Sequence, residues 1–295
     1  MRKSVLWVCM AALCLTLLSV PALAQNDMNR MGPPKVLMII REEVKPGKAV
    51  AHEQHEAAWT QAFIKAKYTT PALGLTSVTG NAEAWFLVGF DSFAAMEKDS
   101  ERMEKDAAIH SVNTTFGPKE SEFLEGSRTM TARFRPELSY KPGVNIGEYK
   151  YFQITVIRFR LGESAEDFYK ALNGAREKAG LDSHIVIYQV NSGMPTGTFI
   201  SFVPVKSLEA WDAPPNTAMD AALKEINFSQ MAGKAVVNVE SRLYSFAPQL
   251  SIVSDQMAQA NPNFWRPKPA MARKAAASGE VTPATKKETN APDKK

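Results

Sequence analysis

The chain has 295 residues, room for two modest domains, and a formal net charge of +4 that is unevenly spread. Residues 1–24 carry +2 and residues 264–295 carry +5, which leaves −3 on the body between them and excludes a basic nucleic-acid surface there. Both cysteines, Cys9 and Cys14, precede that body, so disulfide staples, thiolate metal sites and a cysteine nucleophile are excluded from it.

Residues 1–24 read as a signal peptide. Arg2 and Lys3 form a charged start, Val5 to Val20 an apolar run, and Pro21-Ala22-Leu23-Ala24 ends in an Ala-x-Ala cleavage signal. The run is short for a membrane span. The expectation is a periplasmic or secreted protein beginning at Gln25, with no transmembrane span after cleavage. Residues 25–34 end in Gly-Pro-Pro and read as a linker.

The body then unfolds in a regular order. Val36 to Val44 is an apolar run turning polar, the first expected strand. Lys45-Pro46-Gly47-Lys48 is a turn, because Pro presets φ and Gly tolerates a positive one. A helix follows over Lys48 to Lys65, with Trp59, Ala62, Phe63 and Ala66 spaced three and four apart. Continued backward, that stripe passes through His55 and His52, both within about 60° of its centre, so both are expected to face the sheet. Leu73 to Thr79 and Ala84 to Phe90 form strands joined through Gly80-Asn81. Ser92 caps a second helix that runs toward His110, Val112 to Pro118 is loop, and Glu122 to Phe134 holds the closing strand.

Residues 140–148 are a second linker, after which the order repeats. Tyr149 to Arg160 is a strand, Ser164 to Ala179 a helix, and His184 to Val190 with Thr198 to Val203 a hairpin. A helix over Asn216 to Met231 and a strand over Ala235 to Phe246 complete the second half. One motif marks the duplication. Ser127-Arg128 leads to Phe134-Arg135-Pro136-Glu137-Leu138-Ser139, and Ser241-Arg242 leads to Phe246-Ala247-Pro248-Gln249-Leu250-Ser251. The repeats are placed at 35–139 and 149–251, with Arg128 and Arg242 at equivalent positions. Residues 252–295 are assigned to a disordered basic tail. From Phe264 onward it is rich in Pro, Ala, Lys and Thr without periodicity and cannot bury enough apolar surface to offset its ordering entropy.

Strand, helix, strand, strand, helix, strand over about 100 residues is the ferredoxin-like βαββαβ unit, an α+β fold. The first strand ending Val44-Lys45-Pro46-Gly47, the helix with Trp59, and Ser92-Phe93-Ala94-Ala95-Met96 after the third strand resemble the dimeric α/β-barrel superfamily. That superfamily includes antibiotic-biosynthesis-monooxygenase-like and NIPSNAP-like domains. The resemblance implies that the two tandem repeats pack as an intramolecular dimeric α/β barrel. It also brings in cofactor-free oxygenases, haem-degrading enzymes and haem peroxidases, so fold alone does not choose a function.

His52 and His55, three apart on one helix face, are the candidate catalytic pair, as general base or as ligand to a metal or haem. They are not the zinc-protease pattern, which needs histidines four apart. They also read as half-buried histidines at the helix start, hydrogen-bonded to backbone or water. In the second repeat Phe168 stands opposite His52, Ala171 opposite His55 and Ala175 opposite Trp59. Trp59, Trp85, His110 and Arg128 complete the candidate ligand-binding set. Trp85 also reads as core and Arg128 as a structural ion pair. His110 enters because, in the haem-degrading branch of the resembled superfamily, a histidine on the corresponding helix ligates iron; it also reads as a cation at a helix end. No metal ligands are assigned, and no cofactor is fixed beyond the haem that the resemblance brings in. The expected function is binding of a small apolar or aromatic molecule between sheet and helices, with catalysis and self-association left open. The competing function is a non-enzymatic envelope or stress-related interaction module that uses the basic tail.

Overall fold

A computed structural model describes residues 32–267. The first unit runs β1 (Val36–Val44), α1 (Ala49–Lys65), β2 (Ala72–Ser77), β3 (Glu83–Phe90), α2 (Phe93–Lys105), α3 (Ala107–Phe116) and β4 (Leu124–Phe134). The second runs β5 (Tyr151–Phe159), α4 (Ala165–Lys178), β6 (Val186–Ser192), β7 (Thr198–Val205), α5 (Thr217–Glu225), α6 (Phe228–Ala235) and β8 (Val236–Phe246), and α7 (Asp255–Ala260) and α8 (Pro262–Trp265) follow. The eight strands close into one antiparallel barrel in the order β1-β3-β2-β8-β5-β7-β6-β4. This is the dimeric α/β-barrel fold, with a single chain supplying both four-stranded units.

Strand alternation sorts the side chains. In β1, Leu37 and Ile39 join the barrel interior, with Ile154, Ile200, Met130 and Leu75 from other strands. Val36 and Met38 face outward and pack with Phe93 and Met96 at the start of α2. Gly47 and Gly162 follow β1 and β5 at equivalent turns, with φ of 77° and 89°, a conformation that costs glycine little.

The repeated Phe-x-Pro-x-Leu-Ser motif is the seam of the barrel. Each closing strand pairs with the first strand of its own unit along one edge and with the other unit along its second edge, β4 with β1 and β6, β8 with β5 and β2. Pro136–Leu138 and Pro248–Leu250 then form single 3-10 turns that bury Leu138 and Leu250. Ser139 Oγ accepts the Ile187 N–H at 2.9 Å and donates to the Arg135 carbonyl at 2.8 Å. Ser251 Oγ accepts the Gly74 N–H at 2.9 Å and donates to the Ala247 carbonyl at 2.8 Å. Gly74 is obligatory at this approach, since a Cβ there would lie 2.5 Å from that of Leu250.

Several sequence expectations are corrected. The Ser-Arg part of the motif is out of register. Arg41 faces Arg128 across β1 and β4, and Val156 faces Glu240 across β5 and β8, so the equivalent of Arg128 is Glu240 and that of Arg242 is Met130. The expected loop from Val112 to Pro118 is helical. Asp106 takes an extended conformation, breaks the helix and caps α3 by accepting the Ala108 and Ile109 N–H groups, while Ile109 is fully buried. The expected helix over Asn216 to Met231 is broken by Asn227, which is left-handed at φ 49°. The chain from 252 to 267 is ordered. Ser254 caps α7, and Trp265 is buried against Phe246 with its Nε1 donating to the Gly147 carbonyl at 2.8 Å. A single anchoring aromatic was averaged away in the low-complexity composition of that stretch. The signal-peptide reading and the tail beyond 267 lie outside the described residues. Among the described residues no helix is long and apolar enough to cross a membrane.

Candidate functional site

Two polar clusters and one cavity stand out against the apolar body. The first cluster lies outside the barrel, under α1. Glu42 projects outward from β1, where Val36, Met38 and Ile40 share its face. His52 and Glu56 lie one helical turn apart on α1 and point down at it. Glu120 comes from the 3-10 turn Gly117–Glu122 that leads into β4. One ligand atom from each of these four residues lies within 4.8 Å of all the others. His52 Nε2 and Glu42 Oε2 are 3.0 Å apart, and Glu42, His52 and Glu56 are all buried.

Burial sets the protonation of this cluster. It pushes the Glu42 carboxyl well above the usual carboxylate range, and the neighbouring Glu120 adds to the push. It lifts Glu56 to about 9, with Glu42 and Glu120 adding to the effect. His52 is held below its ordinary value, again by burial. The direction of the His52 Nε2–Glu42 Oε2 hydrogen bond is set by the imidazole tautomer.

His55 and Trp59 extend the site sideways. The His55 ring lies 5.1 Å from that of Phe123 and 5.5 Å from that of Phe116, and Trp59 stacks on Phe116 at 6.1 Å. His55 Nε2 and Trp59 Nε1 are sealed from solvent with no hydrogen-bond partner. The structure thus brings His52, His55 and Trp59 to one interior face. It does not bring the other candidates there. His110 is exposed on α3. Arg128 is exposed on β4, with Nη1 3.0 Å from Met194 Sδ. Trp85 lies inside the barrel and donates to Glu83 at 3.2 Å. Sequence reasoning missed Glu42, Glu56 and Glu120. Two local signals pointed to the first two: a carboxylate closing an otherwise apolar outward stripe of a strand, and a second polar residue four after His52.

The second cluster closes one end of the barrel. Glu83, buried, takes two hydrogen bonds from Arg41, at 2.7 and 3.1 Å, one from Tyr244 at 2.8 Å, and a further bond from Arg242. Arg41 also binds Glu240 at 2.7 Å. Burial alone would raise the Glu83 carboxyl, but the Arg41 and Tyr244 bonds outweigh it and hold it below the usual range. Every charge in this plug is paired within the chain.

The opposite end is open. A cavity of about 1130 Å³ enters the barrel between Leu37, Leu73, Leu87, Phe152, Val186 and Phe202, with Ile252 and Met257 from the C-terminal segment at its mouth. It is of ligand size, and most of its apolar lining is barrel interior rather than the expected space between sheet and helices, with Ala95 of α2 also along it. No histidine lines it. None of the candidate histidines His52, His55 and His110 would reach a haem held there.

No family profile matches the chain, and no curated protein matches it. Among solved structures it is similar to an anthrone oxidase-like protein, with 16% identity and a TM-score of 0.48 over 72% of this chain and 92% of that one. It is also similar to a mutant chlorite dismutase from Candidatus Nitrospira defluvii, with 10% identity and a TM-score of 0.47 over 79% and 98%. An uncharacterized NIPSNAP domain protein from Burkholderia xenovorans matches 32% of this chain and 90% of its own, with 14% identity and a TM-score of 0.27.

Proposed function

We propose that this chain is a binding protein for a small, largely apolar molecule held in the mouth of the barrel. One observation carries the reading: the cavity of about 1130 Å³ walled by aliphatic and aromatic side chains. Its size exceeds the few hundred Å³ that a drug-sized ligand needs, and apolar walls with a few polar groups at the rim are the usual make-up of such sites. Asp99, Arg102 and Lys105 of α2 stand at the rim and suit a ligand with one polar end. The charged plug at the far end of the barrel limits how deep the ligand reaches. Export to the periplasm or beyond is part of the proposal and rests on the signal-like residues 1–24.

The test is titration of the full chain with N-phenyl-1-naphthylamine, an apolar dye that brightens on leaving water. Saturable binding at one site is expected. Leu73→Trp, which fills the cavity from β2, should weaken it at least about tenfold, the effect of losing roughly 1.4 kcal/mol. Equal binding by parent and variant, with both folded, places the ligand elsewhere.

A further inference from the structure

We propose that Glu42, His52, Glu56 and Glu120 form a binding site for one divalent first-row transition ion such as Mn(II), Fe(II) or Zn(II). This goes beyond the ligand reading and does not depend on what fills the barrel.

The geometry is close to coordination already. Donor atoms held about 2.0–2.2 Å from one ion lie at most about 4.4 Å apart. The four here lie within 4.8 Å of one another, so side-chain movements of up to about 1 Å bring them onto a common centre. A second observation is independent of that clustering. Glu56 is only 5% exposed, and its Oε1 is sealed from solvent without a hydrogen-bond partner. Glu120 Oε1 is in the same condition. Buried polar atoms are ordinarily satisfied, and two unpartnered carboxyl oxygens within one cluster mark a place for a cation.

The rest of the barrel shows what this chain does with a buried carboxylate when it supplies the cation itself. Glu83 is met by Arg41 and Arg242. Among the described residues no lysine or arginine pairs with Glu42, Glu56 or Glu120; their one ion-pair partner is His52. A cation that meets these carboxyls therefore comes from outside the chain. One imidazole nitrogen and up to six carboxylate oxygens select a borderline ion over Ca²⁺ or Mg²⁺, which favour all-oxygen shells, and over Cu(I), which favours sulfur. The enclosure of the site, with three of its four residues buried, is that of a structural centre. An ion there would pin β1, α1 and the turn before β4 to one another.

The full chain, stripped with a chelator and exchanged into chelator-free buffer, should bind one equivalent of Mn²⁺ or Zn²⁺ in isothermal titration calorimetry and gain several degrees in melting temperature. Glu56→Gln keeps the shape and removes one charged donor. It should weaken binding by about 100-fold or more, since even residues that only orient metal ligands cost 10–100-fold. Where Glu56→Gln does not fold, Glu120→Gln on the partly exposed turn makes the same test. Binding well below one equivalent by the wild-type chain overturns the proposal. So does a folded variant that binds within about threefold of wild type, which would show an adventitious surface ion.

Discussion

The two units place the same backbone over their sheets and fill the space beneath the first helix with opposite chemistry. Bulges at Glu43/Val44 and at Arg158/Phe159 fix the register of β1 against β5, and the caps at Lys48 and Ser164 fix that of α1 against α4. Glu42, His52 and Glu56 then correspond to Ile157, Phe168 and Leu172. Glu120, four residues before β4, corresponds to Ala232, four before β8. In the second unit these four positions belong to one apolar core with Phe159 and Phe199. An apolar filling stabilises by leaving water, at roughly 25 cal/mol per Å². The polar filling of the first unit loses hydration and recovers it only through partners. The fold therefore does not require the polar set. It is an addition, and its own carboxyls leave it incomplete.

That contrast can be broken by exchanging the fillings. The largest effect is expected from Leu172→Glu, which puts a lone carboxyl into the apolar unit with neither imidazole nor second carboxyl beside it. It should destabilise by about 3–5 kcal/mol, the range for an uncompensated buried charge, measured by urea unfolding. The reverse exchange, Glu56→Leu, should cost less than about 1 kcal/mol in ion-free buffer and abolish any response to Mn²⁺, because well-packed apolar groups replace buried ionic ones with little loss.

Glu83 sharpens the comparison from the polar side, since its cluster supplies its own cations. Its folded carboxyl titrates below the unfolded one. Its contribution is therefore complete above the unfolded value, near pH 4.5, and is lost as the pH falls through the folded value. Glu83→Gln should flatten that acid limb of stability against pH and cost roughly 3 kcal/mol at neutral pH. A limb of unchanged slope would mean that the plug is not what titrates. The smallest effect is expected at His110→Ala, within about 0.5 kcal/mol and without change in dye binding, because the side chain is exposed and does not line the cavity.

Much of the fold was legible because its signals are local. β1 runs over Val36–Val44 as its apolar run predicts, and α1 follows the stripe through Trp59 and Phe63. Ser92 caps α2 as expected. The motif Phe-x-Pro-x-Leu-Ser was visible as a repeat, but its task of joining the units was not, since pairing β4 with β6 is a long-range event. The same limit explains the misplacement of Arg128. Identical dipeptides invited alignment, whereas strand register follows the distance to Phe134 and Phe246. The site was half legible. Helical spacing put His52 and His55 on the inner face, but Glu42 arrives from a strand and Glu120 from a turn far along the chain. The cavity had no local signal, because its walls come from β1, β2, β3, β5, β6, β7 and the C-terminal segment.

A crystal of the full chain soaked in Mn²⁺ and measured at a wavelength where manganese scatters anomalously tests the central contrast most directly. The account predicts one anomalous peak in the first unit, about 2.0–2.3 Å from His52 Nε2 and from oxygens of Glu42, Glu56 and Glu120, and none beneath α4. A map with no peak at those four residues, or with manganese only on surface carboxylates, would contradict it.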